Sequence, residues 1–157
     1  MVHERIPALL AAAVFVLSCA LWGVYRQPGR RYVFLFCSAD SGRLVQENRW
    51  LTSDTSADTS ADSSAASECA AYVDELLLGP CVERCRPLFS PGTRALSCFV
   101  REGTLYVELS DELMSESGDA VAIRDGVELF TKNVRRNFPR IKQVELFADG
   151  KKMFDGV

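Results

Sequence analysis

The chain has 157 residues, with 18 Lys+Arg, 21 Asp+Glu, six Cys and one His. That length allows one domain with appendages, and a net charge of −3 excludes a generic basic nucleic-acid binder. The one His is His3, so the folded part holds no Ser-His-Asp or Cys-His catalytic pair and no His-containing metal site; the closest glycines, Gly23/Gly29 and Gly150/Gly156, are six apart, which rules out the G-x-G-x-x-G and G-x-x-x-x-G-K phosphate cradles.

Residues 1–5 form a short tail. Residues 6–25 are an uncharged run of 20, long enough to span the hydrocarbon core of a bilayer. Within it, Val16-Leu17-Ser18-Cys19 resembles a loose lipobox and makes Cys19 a candidate lipidation site. The apolar run continues past Cys19 to Tyr25, and Leu17 is larger than usual before the small residue. An uncleaved membrane anchor is therefore the first expectation, with a cleaved lipoprotein signal second. Arg26, Arg30 and Arg31 follow the span against Arg5 before it, which by the positive-inside tendency would hold the main domain in the cytoplasm. Six Cys in a small chain pull towards an oxidising compartment. The expectation is a domain at the cell membrane on its extracytoplasmic, periplasmic side.

Residues 26–31 read as a linker and 32–157 as the domain. Residues 32–37 (YVFLFC) are apolar on both faces, as in a covered strand, and after a turn at 40–42, residues 43–51 read as a more polar strand. Residues 52–67 hold only Thr, Ser, Ala and Asp, with Thr55-Ser56-Ala57-Asp58 repeated at once; this insertion has nothing to bury and is expected to be disordered. A calcium loop would need a glycine and a terminal Glu that are absent.

Cys69, Tyr72, Val73, Leu76 and Leu77 give one apolar stripe, predicting a helix over 68–78 ended by Gly79-Pro80. Residues 95–100 and 104–109 read as a hairpin turning at Gly103. Ile123, Val127, Phe130, Val134 and Phe138 line a second helix that Pro139 stops. A strand over 141–148 follows, with Asp149-Gly150 turning into 151–154. The expected fold is α+β, with two helices packed on one face of a mixed or antiparallel sheet in the order β-(β)-α-β-β-α-β.

Four segments in this order resemble the GerMN domain: Glu75 through Pro80 (ELLLGP), Leu88 through Ser97 (LFSPGTRALS), Val100 through Ser110 (VREGTLYVELS) and Asn137 through Val144 (NFPRIKQV). The resemblance covers about residues 31–154. It implies a ring-building-motif-like fold and a small tethered envelope module without catalytic residues, as in sporulation and germination proteins and some envelope lipoproteins. The chain departs from the fuller germination protein in having one copy, the insertion at 52–67, and Cys81-Val82-Glu83-Arg84-Cys85.

Cys81 and Cys85 are one residue further apart than a C-x-x-C redox pair, and no second close pair completes a zinc site. A local disulfide between them is the reading adopted. No catalytic, cofactor or metal residue is assigned. Residues 52–75 carry six acidic and no basic side chains, whereas 130–152 carry seven basic ones. Lys132, Arg135 and Arg136 fall on one side of the second helix, opposite its core stripe. With Arg140 they are the candidate interaction face for anionic lipid, wall polymer, an envelope protein or a second copy. The expected function is a non-catalytic interaction or assembly module of the cell envelope, held at the membrane through residues 6–25, with no nucleic acid among its partners. The alternative is an envelope lipoprotein binding a cell-wall fragment or small solute.

Overall fold

The computed structural model describes residues 14–19, 29–51, 61–114 and 120–153. The chain divides into two units, 1–30 and 31–157. In the first, residues 14–19 are helical and exposed. Most of the run expected to anchor the protein lies outside the described residues, among which no helix is long and apolar enough to cross a membrane.

The elements are β1 (Arg30–Ser38), β2 (Leu44–Leu51), α1 (Ala61–Leu77), β3 (Cys85–Arg86), β4 (Ala95–Arg101), β5 (Thr104–Leu109), a 3-10 turn (Asp111–Met114), α2 (Ala120–Asn137), β6 (Gln143–Ala148) and β7 (Lys151–Lys152). They form an α+β fold. β5 and β6 pair in parallel, joined by α2 as the crossover, while β4–β5 and β6–β7 are antiparallel. Both tight hairpins use a positive-φ pair, Glu102-Gly103 and Asp149-Gly150, the twist that two-residue loops between strands favour.

Alternation along β5 sends Leu105, Val107 and Leu109 inward, each fully buried. They join Tyr32, Phe34 and Phe36 of β1, Tyr72, Val73 and Leu76 of α1, and Val127, Phe130 and Val134 of α2 in one core. Phe34 stacks on Tyr72 at 4.7 Å between centroids, and Tyr72 meets Phe138 edge-on at 5.3 Å.

Two expectations are corrected. The strands form two sheets instead of one, with orders β2-β1-β3 and β4-β5-β6-β7. Residues 61–67, expected within the disordered insertion, are the first turns of α1. Ala65 and Ala66 extend the helix readily. Residues 52–60 lie outside the described residues.

The break between the sheets has an identifiable cause. Backbone groups of alternate residues project to one edge of a strand. On one edge of β1, Cys37 pairs with Arg86 of β3, and Ala39 N–H donates to the Arg84 carbonyl. Further back along that edge come Leu35 and Val33, and there two side chains of α2 take the place of a strand. Leu35 N–H donates to Asn133 Oδ1 (2.7 Å), and Asn133 Nδ2 donates to the Leu35 carbonyl (2.9 Å). One helical turn on, Asn137 makes the same pair of bonds with Val33, at 2.9 and 2.7 Å. The edge is closed by helix side chains, and no further strand can add there.

Candidate functional site

Three polar constellations and one cleft were open to a chemical role. The first is the asparagine pair. Asn133 is fully buried, and the Tyr72 hydroxyl joins it, donating to the Val33 carbonyl at 3.1 Å and accepting from Asn137 Nδ2 at 2.9 Å. Burial drives the Tyr72 phenol well above its ordinary pKa, outweighing the Asn137 hydrogen bond. This group stays neutral and serves the scaffold.

The second is centred on Arg49, which β2 turns inward. Its guanidinium meets Glu47 Oε2 at 2.6 Å and Glu75 Oε1 at 2.9 Å, and donates to the Gly79 carbonyl at 2.7 Å. It also lies over the rings of Phe34 and Phe36, 4.9 and 5.5 Å from their centroids. Glu47 in turn accepts the backbone N–H groups of Cys81 and Val82, both at 3.2 Å. The network ties β2 to the C-terminus of α1 and to the turn that follows it.

Burial would raise the Glu47 carboxyl, but the Arg49 hydrogen bond and the two backbone amides outweigh it and hold it below its ordinary value of 4.5. Its contribution to stability is therefore present above 4.5 and lost as pH falls through the lowered folded value. Thermal unfolding followed from neutral to acid pH is expected to show a steeper acid decline in the wild type than in Glu47→Gln. The two proteins should converge at the acid end; parallel profiles would detach Glu47 from the acid limb.

The third is the cysteines. Burial pushes the Cys69 thiol up to about 12 and the Cys98 thiol up to about 11. Such thiols are poor nucleophiles. Cys81 is exposed, Cys85 is buried in β3, and both thiols are free in the structure. Cys85 is register partner to Ser38, so Cys37, one position along, points to the other face of that sheet. Cys19 is exposed in the helical residues 14–19. Among the described residues, no three His, Cys, Asp or Glu stand together as a metal site.

The cleft measures about 420 Å³ and lies between the end of β1, the 86–91 segment and the first half of α2. Leu88, Phe89, Leu113, Ile123 and Leu129 make its walls apolar, with Arg86 and Asp125 as its charged members. The hydroxyl of Ser90 is committed to the Leu113 carbonyl. Gly126 lets the helix approach closely: a Cβ there would stand 2.3 Å from the Leu88 carbonyl oxygen. Among the described residues, nothing lining this cleft pairs an acid with a base.

The candidate interaction face is brought together in part. Ile123, Val127, Phe130 and Val134 are buried and fix the rotation of α2, so Lys132, Arg135 and Arg136 all stand exposed. With Glu128, Thr131 and the side chain of Leu35 they line an open groove of about 540 Å³. Arg136 donates to Gln46 of β2 at 3.2 Å. Arg140 is exposed too, but in the turn beyond the helix.

Sequence reasoning missed Asn133, Asn137, Glu47 and Arg49. Two Asn spaced four apart beside a core stripe are the signal for the first pair; Arg49 shows none beyond its place in an alternating strand. A row of rings was also missed. Phe99, Tyr106 and Phe147 run across the outer face of the four-stranded sheet, at 5.1 and 6.5 Å between neighbouring centroids.

A family model described as Germane, sporulation and spore germination, matches residues 33–154. A Treponema pallidum (strain Nichols) protein named "Uncharacterized lipoprotein" is 30% identical over 139 residues, which cover 88% of this chain and 96% of that protein. Among solved structures, the tandem GerMN domains of the sporulation protein GerM from Bacillus subtilis are similar in fold, with a TM-score of 0.55 at 17% identity over 82% of this chain. This chain spans 43% of that tandem structure. A putative lipoprotein from Clostridium perfringens aligns with a TM-score of 0.47 at 14% identity, over 78% of this chain and 76% of that one.

Proposed function

The chain belongs to the Germane family of sporulation and spore-germination domains, and from that membership we propose that it is a non-catalytic, membrane-tethered module of the cell envelope that acts by binding macromolecular partners. The observation that carries this reading is where the polar side chains are used. Asn133, Asn137 and Tyr72 hold the edge of β1, and Glu47 and Arg49 hold the end of α1. Among the exposed charges, Lys132, Arg135 and Arg136 line one groove on α2, with Arg140 in the turn beyond it. Such a surface steers and selects an anionic partner: another envelope protein, an anionic wall polymer, or the acid-rich 52–75 region of a second copy.

The lipoprotein name of the Treponema relative supports lipidation of Cys19 as the tether, ahead of the uncleaved span expected from the apolar run. A disulfide between Cys81 and Cys85 in an oxidising compartment remains part of the proposal. The cleft gives the alternative, binding of a wall fragment or small solute, little chemical support. Its walls are apolar, and a polar saccharide or peptide would find mainly Arg86 and Asp125 there.

Exposed charges contribute little to stability, so Arg135→Glu with Arg136→Glu is expected to keep a cooperative thermal transition while weakening co-sedimentation with envelope extracts. Wild-type association should fall with added salt. Because both residues end a helix, where positive charge is favoured, Arg135→Gln with Arg136→Gln serves as the milder control. Association that ignores both the substitutions and salt would overturn the assignment of this face.

A further inference from the structure

We infer that the end of the domain carrying Arg31, Trp50, Arg101, Arg140 and Lys142 is its membrane-facing end, built to rest on anionic phospholipid headgroups. The inference deepens the tethered-module reading and rests on the tether.

The five residues are distant in sequence and are gathered by the fold. The β1–β2 hairpin closes with Ser38 N–H donating to the Arg43 carbonyl. Counting outward along the two antiparallel strands brings Trp50 back level with Arg31 at the start of β1. The turn after α2 arrives at the same place: Asn137 binds Val33, and Phe138 stacks on Tyr32 at 5.7 Å. Two residues on, the Arg140 carbonyl packs by Gly103, whose own carbonyl accepts Lys142 N–H at 2.8 Å. That contact brings in the β4–β5 turn and Arg101. All five side chains are exposed, and Trp50 is 71% exposed although it is the largest side chain of β2.

An exposed Trp among basic side chains has the composition of a bilayer interface, where an indole sits at headgroup level and Arg and Lys meet lipid phosphates. The tether joins the domain at this end. The apolar run ends at Tyr25, and β1 begins at Arg30. At ~3.5 Å per residue the intervening chain reaches ~18 Å when fully extended, and from a lipid on Cys19 ~40 Å. Of the domain's strands, β1 is the one joined most directly to that run, through the end that bears the basic cluster. Attraction of basic side chains to an anionic surface acts within about a Debye length. Glu102, 3.9 Å from Arg101 in the same turn, would oppose it.

The test uses the full chain with Trp22→Phe, which leaves Trp50 as its one indole. The protein is reconstituted in vesicles of phosphatidylcholine alone or mixed with phosphatidylglycerol, each carrying a headgroup-nitroxide lipid as quencher. Strong quenching of Trp50 is expected in the anionic vesicles, falling to the phosphatidylcholine level in Arg31→Glu with Arg140→Glu and at high salt. Glu102→Gln should increase quenching in the anionic vesicles. Quenching that is equally weak in both lipids, or equally strong in both and indifferent to the variants, overturns the inference. The wild-type lipid comparison stands even if a variant misfolds. Flotation separates the two readings: a chain that floats with vesicles while Trp50 is unquenched defeats this orientation alone, whereas a chain that does not float defeats the tether as well.

Discussion

Asn133→Ala is expected to destabilise the domain by about 3 kcal/mol, well above the effect of a typical surface change. The side chain is fully buried and bonds both backbone groups of Leu35. Its loss strands a donor and an acceptor together, each worth roughly 1–3 kcal/mol when buried without a partner. Asn133→Asp should do no better: it keeps an acceptor for Leu35 N–H, but when ionised has no donor for the carbonyl and buries a charge. Asn137→Ala, at a half-buried position, is expected to lose less, about 1–2 kcal/mol. Denaturant unfolding measures all three. A change under about 1 kcal/mol for Asn133→Ala would mean that β1 holds its place without the helix amides.

Arg49→Met is expected to have an effect of similar size, about 3 kcal/mol, because it leaves Glu47 nearly buried without its partner. The same change removes the donor that the Gly79 carbonyl uses at the end of α1. Arg49→Lys should fall short as well, since an ammonium cannot reach Glu47, Glu75 and Gly79 as a planar fork does. Glu47→Leu combined with Arg49→Met should recover part of the loss, because no charge is then left alone. Hydrogen exchange adds a local reading, with the amides of Cys81 and Val82 losing protection in Arg49→Met while those of β5 keep theirs. If the double variant is as unstable as the sum of its parts, the pair is not coupled.

These two networks also mark where the sequence became unreadable. Strands β4 and β5, the second helix and the Asp149-Gly150 turn were legible because each is set by local periodicity or turn chemistry. The division into two sheets is set by Asn133 and Asn137 meeting residues 98 and 104 positions away, and no local pattern announces such a partner. β3 is two residues long and is defined by its register with Cys37 and Ser38. The start of α1 was missed for a different reason. Thr, Ser, Asp and Ala in short repeats read as a linker by composition, yet Ala65 and Ala66 belong equally well to a helix whose apolar stripe begins at Cys69. The basic face of α2 was legible because the core stripe Ile123, Val127, Phe130 and Val134 fixes which way the remaining side chains turn.

The functional consequence is a division of labour. Buried polar groups hold the two sheets and two helices of the domain together, and the proposed role in partner recognition falls to the exterior. A second solved feature, the row of Phe99, Tyr106 and Phe147 on the outer sheet face, has rings packed against one another; it stabilises cross-strand pairing and does not itself name a ligand.

Site-specific photocross-linking of the full chain in native envelope tests the central claim most directly. A photoreactive phenylalanine at Glu128, on the rim of the basic groove, leaves Lys132, Arg135 and Arg136 in place. The same group at Pro91 reports on the cleft. A surface that binds macromolecules predicts a discrete high-mass adduct from position 128, reduced by high salt, and none from position 91. Adducts from position 91 with position 128 silent would contradict the account and make the cleft the binding site.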